Sequence, residues 1–171
     1  MNRRLVLLMP ALAALAACAT PAQPIRLGSD GKPLARLYRI DAADTAAIQF
    51  RMLDSVNALR QARGAPPVQL NAELNAAAST HSRDMHVQNR PWHFGSDGSS
   101  PIDRVRRVGY TGTLLGENIS ETFETELETL AAWADEPSTR EVMTDPSARQ
   151  MGFAWFQEPT GKIWWTLITG T

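Results

Sequence analysis

The sequence predicts one α+β domain preceded by a processed N-terminal segment. Three observations carry this. Two helical apolar stripes follow one another between residues 44 and 88. Two aromatic-rich, β-prone runs close the chain, joined by a loop suited to a hairpin. Helices come first and strands cluster late, which favours α+β over a parallel sheet wound through βαβ units. The 171 residues, 43% of them hydrophobic, suffice for one core. A net charge of -1 leaves no basic footprint, so nucleic acid is not an expected partner. A single cysteine excludes an internal disulfide framework and a multi-thiolate zinc site.

Arg3 and Arg4 form a short positive n-region. Leu5 to Ala17 is uncharged and mostly apolar, too short to span a bilayer, and it ends in Leu15-Ala16-Ala17-Cys18. Slim side chains before a cysteine are what a bacterial lipoprotein peptidase needs, and the thiol then takes a diacylglycerol. The run resembles a lipobox; an ordinary signal peptide with a chance cysteine is the competing reading. The expectation is a signal peptide over residues 1–17 and an acylated Cys18, which anchors the chain without spanning the membrane. Cleavage removes Arg3 and Arg4, so 15 basic residues face 18 acidic ones and the charge becomes -3. Ala19 stands where an aspartate would signal inner-membrane retention, which favours the outer membrane of a bacterial envelope. Residues 18–43 are rich in Pro, Gly and small polar residues and read as a tether with little order. The domain is expected over residues 44–171.

Asp44 can cap a helix carrying Ile48, Met52, Val56 and Leu59 on one stripe. Gly64 can end it, and Pro66-Pro67 cannot continue it. Asn71 is the next cap, with Glu73 in the first turn; Leu74, Ala78, His81 and Met85 line one face of the second helix. Residues 89–100 form a loop. Ser100-Pro101-Ile102-Asp103 starts a short helix reaching about Val108. Residues 112–120 look extended. Thr122 is expected to cap a helix with Phe123, Leu127, Leu130 and Trp133 or Ala134 inward. Glu136-Pro137 stops it, and a turn or short helix covers residues 138–143. Strands are expected at 151–157 and 163–169, with residues 158–162 as the hairpin loop.

Four segments in order sharpen this picture. They are Asn57-Ala58-Leu59-Arg60 with Gly64 and Pro67; Leu74 to Ala78 leading to His81-Ser82-Arg83-Asp84-Met85; His93 to Pro101 with Arg104, Gly109 and Tyr110; and Gly116-Glu117-Asn118-Ile119. Trp133, Pro137, Arg140, Asp145-Pro146, Gly152 and Trp165-Thr166 continue the set. The whole resembles the CAP (SCP) superfamily of cysteine-rich secretory, antigen 5 and pathogenesis-related proteins, in its bacterial, disulfide-free branch. The resemblance implies a three-layer α-β-α sandwich around a mostly antiparallel sheet. It also implies a groove with a His-Glu-Glu-His tetrad that binds a divalent metal in some members. The first histidine maps onto His93, the first glutamate onto Glu117 and the second onto Glu136. The second histidine falls near Trp164 and is missing. Thr139 stands where bacterial relatives often carry a histidine, and Leu167 replaces the glutamine that commonly follows Trp-Thr.

A carboxylate beside an imidazole orients the ring and suits base chemistry or metal ligation. The competing reading of His93 with Glu117 is a hydrogen bond tying the Gly-Ser loop to the first strand. His93, Glu117 and Glu136 are the only candidate metal set, and no cofactor is expected. His81 reads as a satisfied core histidine and His86 as an exposed or edge residue; their spacing is not that of an i, i+4 pair. Residues 96–100 read as a turn and cap, without a P-loop ending or a Gly-x-Ser-x-Gly elbow. Trp92, Trp155, Trp164 and Trp165 read mainly as core. Trp164 and Trp165 should face opposite ways, one in the core and the other lining the groove. The expected function is an outer-membrane-anchored, monomeric binding module for a lipid, an envelope component such as peptidoglycan, or a protein, at a groove near His93. A hydrolase or protease using His93 with Glu117, and a structural envelope protein, are the alternatives.

Overall fold

The structure, a computed structural model, describes residues 37–122 and 124–171. Cys18, the signal segment and most of the expected tether lie outside the described residues. Helix α1 (Thr45–Ala62) follows a short 3-10 turn and ends with Gly64 at φ +70, where the amides of Gly64 and Ala65 return to the carbonyls of Gln61 and Arg60. The two-residue strand β1 (Gln69–Leu70) leads to α2 (Ala72–Gln88), capped by the Asn71 side chain on the Leu74 amide. Then come α3 (Pro101–Arg107), β2 (Leu114–Thr122), α4 (Glu126–Asp135), α5 (Pro137–Thr144), β3 (Gln150–Gln157) and β4 (Ile163–Gly170). The sheet order is β1-β3-β4-β2; β1 runs parallel to β3, and the other pairings are antiparallel. No helix among the described residues is long and apolar enough to cross a membrane.

Strand periodicity divides the core into two layers. Met151, Phe153, Ile163, Trp165 and Leu167 face α1, α4 and α5, where they meet Ile48, Met52, Val56, Leu130, Trp133 and Met143. Ala154 and Ile168 face α2 and α3, where they meet Leu74, Ala77, Ala78 and Val105. This is the α-β-α sandwich. Gly152 lets α2 lie directly on β3, because a Cβ there would collide with the Leu74 backbone. Arg60 is fully buried on α1. Its guanidinium donates to the carbonyls of Pro66, Met143, Asp145 and Ala148 at 2.7–3.0 Å, tying α1 to the end of α5.

Three expectations are corrected. The packed unit begins at Leu37 rather than at residue 44. The Tyr38 hydroxyl donates to Glu126, and burial together with that contact pushes its pKa up to about 12. The Ile40 amide donates to Gln157, whose own amide returns to the Tyr38 carbonyl. The cap of α4 is Thr125, which forms a capping box with Glu128; Thr122 belongs to β2 and accepts from the Trp165 indole. Leu127 consequently turns outward, and buried Glu126, paired with Arg51, faces inward. Finally, Trp164 and Trp165 do face opposite layers, but both are fully buried, so neither lines an open groove. Trp165 stacks on Phe153 at 5.4 Å.

Candidate functional site

The site is built on the α2–α3 face of the sheet. Glu117 lies opposite Ile168 in the β2–β4 ladder and therefore projects into this layer. Its neighbour Asn118 projects the other way and donates to the Thr139 carbonyl on α5. Helix α3 is fixed by the Ser100–Asp103 capping box, which points Arg104 at Glu117. Arg104 Nη2 donates to Glu117 Oε1 at 2.9 Å and to Oε2 at 2.7 Å, both residues being buried.

Helix α2 ends at Asn89, whose φ of 49 turns the chain back along the last helical turn. The Trp92 indole donates to Gln88, and Gln88 donates to the Phe94 carbonyl. The loop beyond is pinned by Asp84, which accepts from the Ser96 amide and hydroxyl. The Ser99 and Ser100 amides go to Asp97 and Asp103. The loop's own carboxylates thus occupy these amides, and it is a turn and cap, not an anion cradle. This path brings His93 Nδ1 to 2.9 Å from Glu117 Oε1, with the imidazole 51% exposed. Ionised Glu117 only accepts, so Nδ1 carries a proton and the neutral ring keeps its lone pair on Nε2.

His81 completes the cluster. It is fully buried, with Nε2 3.7 Å from Glu117 Oε1 and the Trp92 backbone as a weak further partner. The expected core position of His81 is observed, and its nearest charged neighbour is Glu117. Burial pushes its pKa down and Arg104 pushes it the same way, against the pull of Glu117. Burial pushes Glu117 upward, but His93, His81 and Arg104 outweigh it and hold the carboxyl below its ordinary value. Neither His81 nor Arg104 was singled out as a site residue by sequence. Arg104 could have been found from the helix cap, because a cap at Ser100 fixes which way the next turn faces.

Glu136 does not join His93 and Glu117. It sits at the α4–α5 junction, exposed, with its carboxylate accepting from Ser138. Among the described residues no three His, Cys, Asp or Glu side chains group to hold a metal. The donor set does not fit a divalent ion, because Arg104 already engages both oxygens of Glu117 and would repel a second cation. A hollow of about 690 Å³ at the end of α1, between Asp54 and Pro67, contains none of the candidate residues.

His86 is half-exposed rather than free: its Nδ1 lies 3.1 Å from Glu158 Oε1, and its ring packs on Phe156 at 4.6 Å. Glu158 also accepts from the Trp164 indole and from Thr160, and lies 3.5 Å from Lys162. Burial pushes this carboxyl up, but the three hydrogen bonds and Lys162 bring it down to about 2. The His86 ring also lies 6.5 Å from that of Trp164.

Comparison with known proteins places this geometry. Residues 53–168 match the model of the cysteine-rich secretory protein family, CAP. An uncharacterized protein of Bacillus subtilis, YkwD, is 27% identical over 122 residues; the match covers 71% of this chain but only 47% of that protein, so the chain spans about half its length. An outer surface protein of Borrelia burgdorferi superposes with a TM-score of 0.68 at 16% identity, covering 80% of this chain and 98% of that one. An extracellular protein containing an SCP domain, from Bacillus anthracis, gives 0.67 at 18% identity, covering 78% and 45%. A cysteine-rich secretory protein of Staphylococcus aureus gives 0.64 at 15%, covering 84% and 44%. These structures share the fold, and the match over residues 53–168 covers most of the chain: this protein belongs to the cysteine-rich secretory protein (CAP) family.

Proposed function

We propose that the chain is a non-enzymatic binding module, tethered to the outer membrane through an acylated Cys18 and presenting His93 to a lipid, an envelope component or a protein. The observation that carries this reading is the way His93 is displayed. Its imidazole is half-exposed, fixed through Nδ1 by a buried carboxylate, and followed by exposed Phe94, whose ring lies 5.5 Å from that of Trp92. A rigid imidazole acceptor among aromatic surfaces is a recognition element with little ordering entropy to lose. Among the described residues no serine, threonine or cysteine hydrogen-bonds to His93, so the pair lacks the nucleophile that a covalent hydrolase would need. Arg104 supplies at Glu117 the positive charge that a metal would otherwise bring, and no cofactor is proposed.

The test uses residues 18–171 with Cys18→Ser, incubated with isolated envelope fractions. The chain is expected to be retained, and His93→Ala and Glu117→Gln to lower retention. Time-dependent release of peptide or glycan fragments that disappears in His93→Ala would contradict the binding reading and support the hydrolase. In cells, Cys18→Ser is expected to free the protein from membranes.

A further inference from the structure

Leu37 lies against Gly161 at the tip of the β3–β4 hairpin, and Arg39 donates to the carbonyls of Glu158 and Pro159 in the same loop. The next residue, Lys162, donates to Asn89, the cap from which the His93 loop departs. The point where the N-terminal segment joins the domain and the loop carrying His93 are therefore at one end of the molecule. Among the described residues, three of the six exposed large hydrophobic side chains belong to this end: Val87 at 71%, Phe94 at 48% and Leu37 at 42% exposure. Trp92 lies against Phe94, with the Arg90 guanidinium 3.9 Å above its ring. The acids at this end, Asp84, Glu121 and Glu158, are engaged by Ser96, Gln88, Lys162 and His86. Arg39, Arg83 and Arg90 form no ion pair among the described residues; Arg83 lies over Phe156.

We infer that this end of the domain docks on an anionic lipid surface. Aromatic rings with arginines beside them suit the headgroup layer, where the ring enters the boundary and the guanidinium meets phosphate. Only eighteen residues lie between Cys18 and Leu37. Fully extended they reach at most about 65 Å, so an acylated Cys18 keeps this end within reach of the bilayer. The lipid on Cys18 holds the chain at the membrane, and a second contact of this kind fixes which end of the domain faces it. The inference deepens the binding-module reading, because it sets His93 in the headgroup region.

The test again uses residues 18–171 with Cys18→Ser, so that no lipid anchor contributes. It is sedimented with vesicles of phosphatidylcholine alone and of phosphatidylcholine with phosphatidylglycerol. The chain is expected to bind the anionic vesicles and to be released by salt. The double variant Arg90→Glu/Phe94→Ser is expected to bind about tenfold or more weakly at an unchanged melting temperature, since both side chains are exposed. No sedimentation of the parent chain, or equal sedimentation of the double variant, would overturn the inference. Either result would leave the His93 reading standing, because envelope retention sensitive to His93→Ala is measured separately.

Discussion

Two histidines on one layer of the domain each donate an Nδ1–H hydrogen bond to a glutamate that also meets a cation. At His93 the carboxylate is Glu117 and the cation Arg104, with side chains 2% and 5% exposed. At His86 they are Glu158 and Lys162, 15% and 17% exposed. The pairing is the same and the solvent differs. In the first set two buried charges hold each other and leave the histidine outside as the free end. In the second, the lysine and glutamate stay near water and the histidine packs on Phe156, so the set clamps α2 to the hairpin. A buried ion pair is a poor source of net stability but a firm constraint on geometry, because losing one member strands the other. The first set therefore reads as positioning for His93 and the second as a structural clamp.

The largest expected effect breaks this asymmetry directly. Glu117→Ala leaves Arg104 buried without its partner and should cost about 3–5 kcal/mol, measured by urea denaturation. Glu158→Ala removes the acceptor of the Trp164 indole in a wetter setting and should cost about 1–2 kcal/mol. Equal losses would show that burial does not distinguish the two sets.

The pH dependence should follow His81, which faces Glu117, Arg104 and Asp84. Its folded pKa lies below its unfolded value, so the neutral form is the one the fold holds. Stability is full above the unfolded value, about 6.5, and falls below it as the unfolded chain takes up a proton that the folded chain refuses. The slope is at most about 1.4 kcal/mol per pH unit, and about 1 kcal/mol should go between neutrality and mildly acid pH. His81→Gln should flatten that slope; an unchanged slope would locate the proton elsewhere. The smallest effect is a control. Arg107→Ala breaks the 2.5 Å contact with Asp97, whose partners are both more than half exposed, and should leave the urea midpoint unchanged.

Local signals predicted local structure well. Asn71 and the Ser100–Asp103 box start their helices where a short polar side chain can meet a free amide. Thr122 misled because threonine also favours strands; the box at Thr125-x-x-Glu128 was the stronger signal. The strap at Leu37–Ile40 is hidden by the Pro/Gly-rich stretch before it and is too short to show a period of its own. β1 is too short for any periodicity to reveal. Of the site, His93 and Glu117 were legible through family resemblance. The approach of His81 and Arg104 depends on two helices crossing one strand, which no spacing along the chain reports. Glu136 stayed apart because the α4–α5 junction packs toward Asn118 and away from Glu117.

Buried Glu117 and Arg104 fix His93 in one tautomer with Nε2 free for a ligand. Long-range proton–nitrogen NMR of the imidazole above about pH 8 reads this directly. A His93 ring protonated on Nδ1 and bare on Nε2 is expected, with the preference lost in Glu117→Gln/Arg104→Met. A ring protonated on Nε2, or one averaging between tautomers in the parent protein, would contradict it.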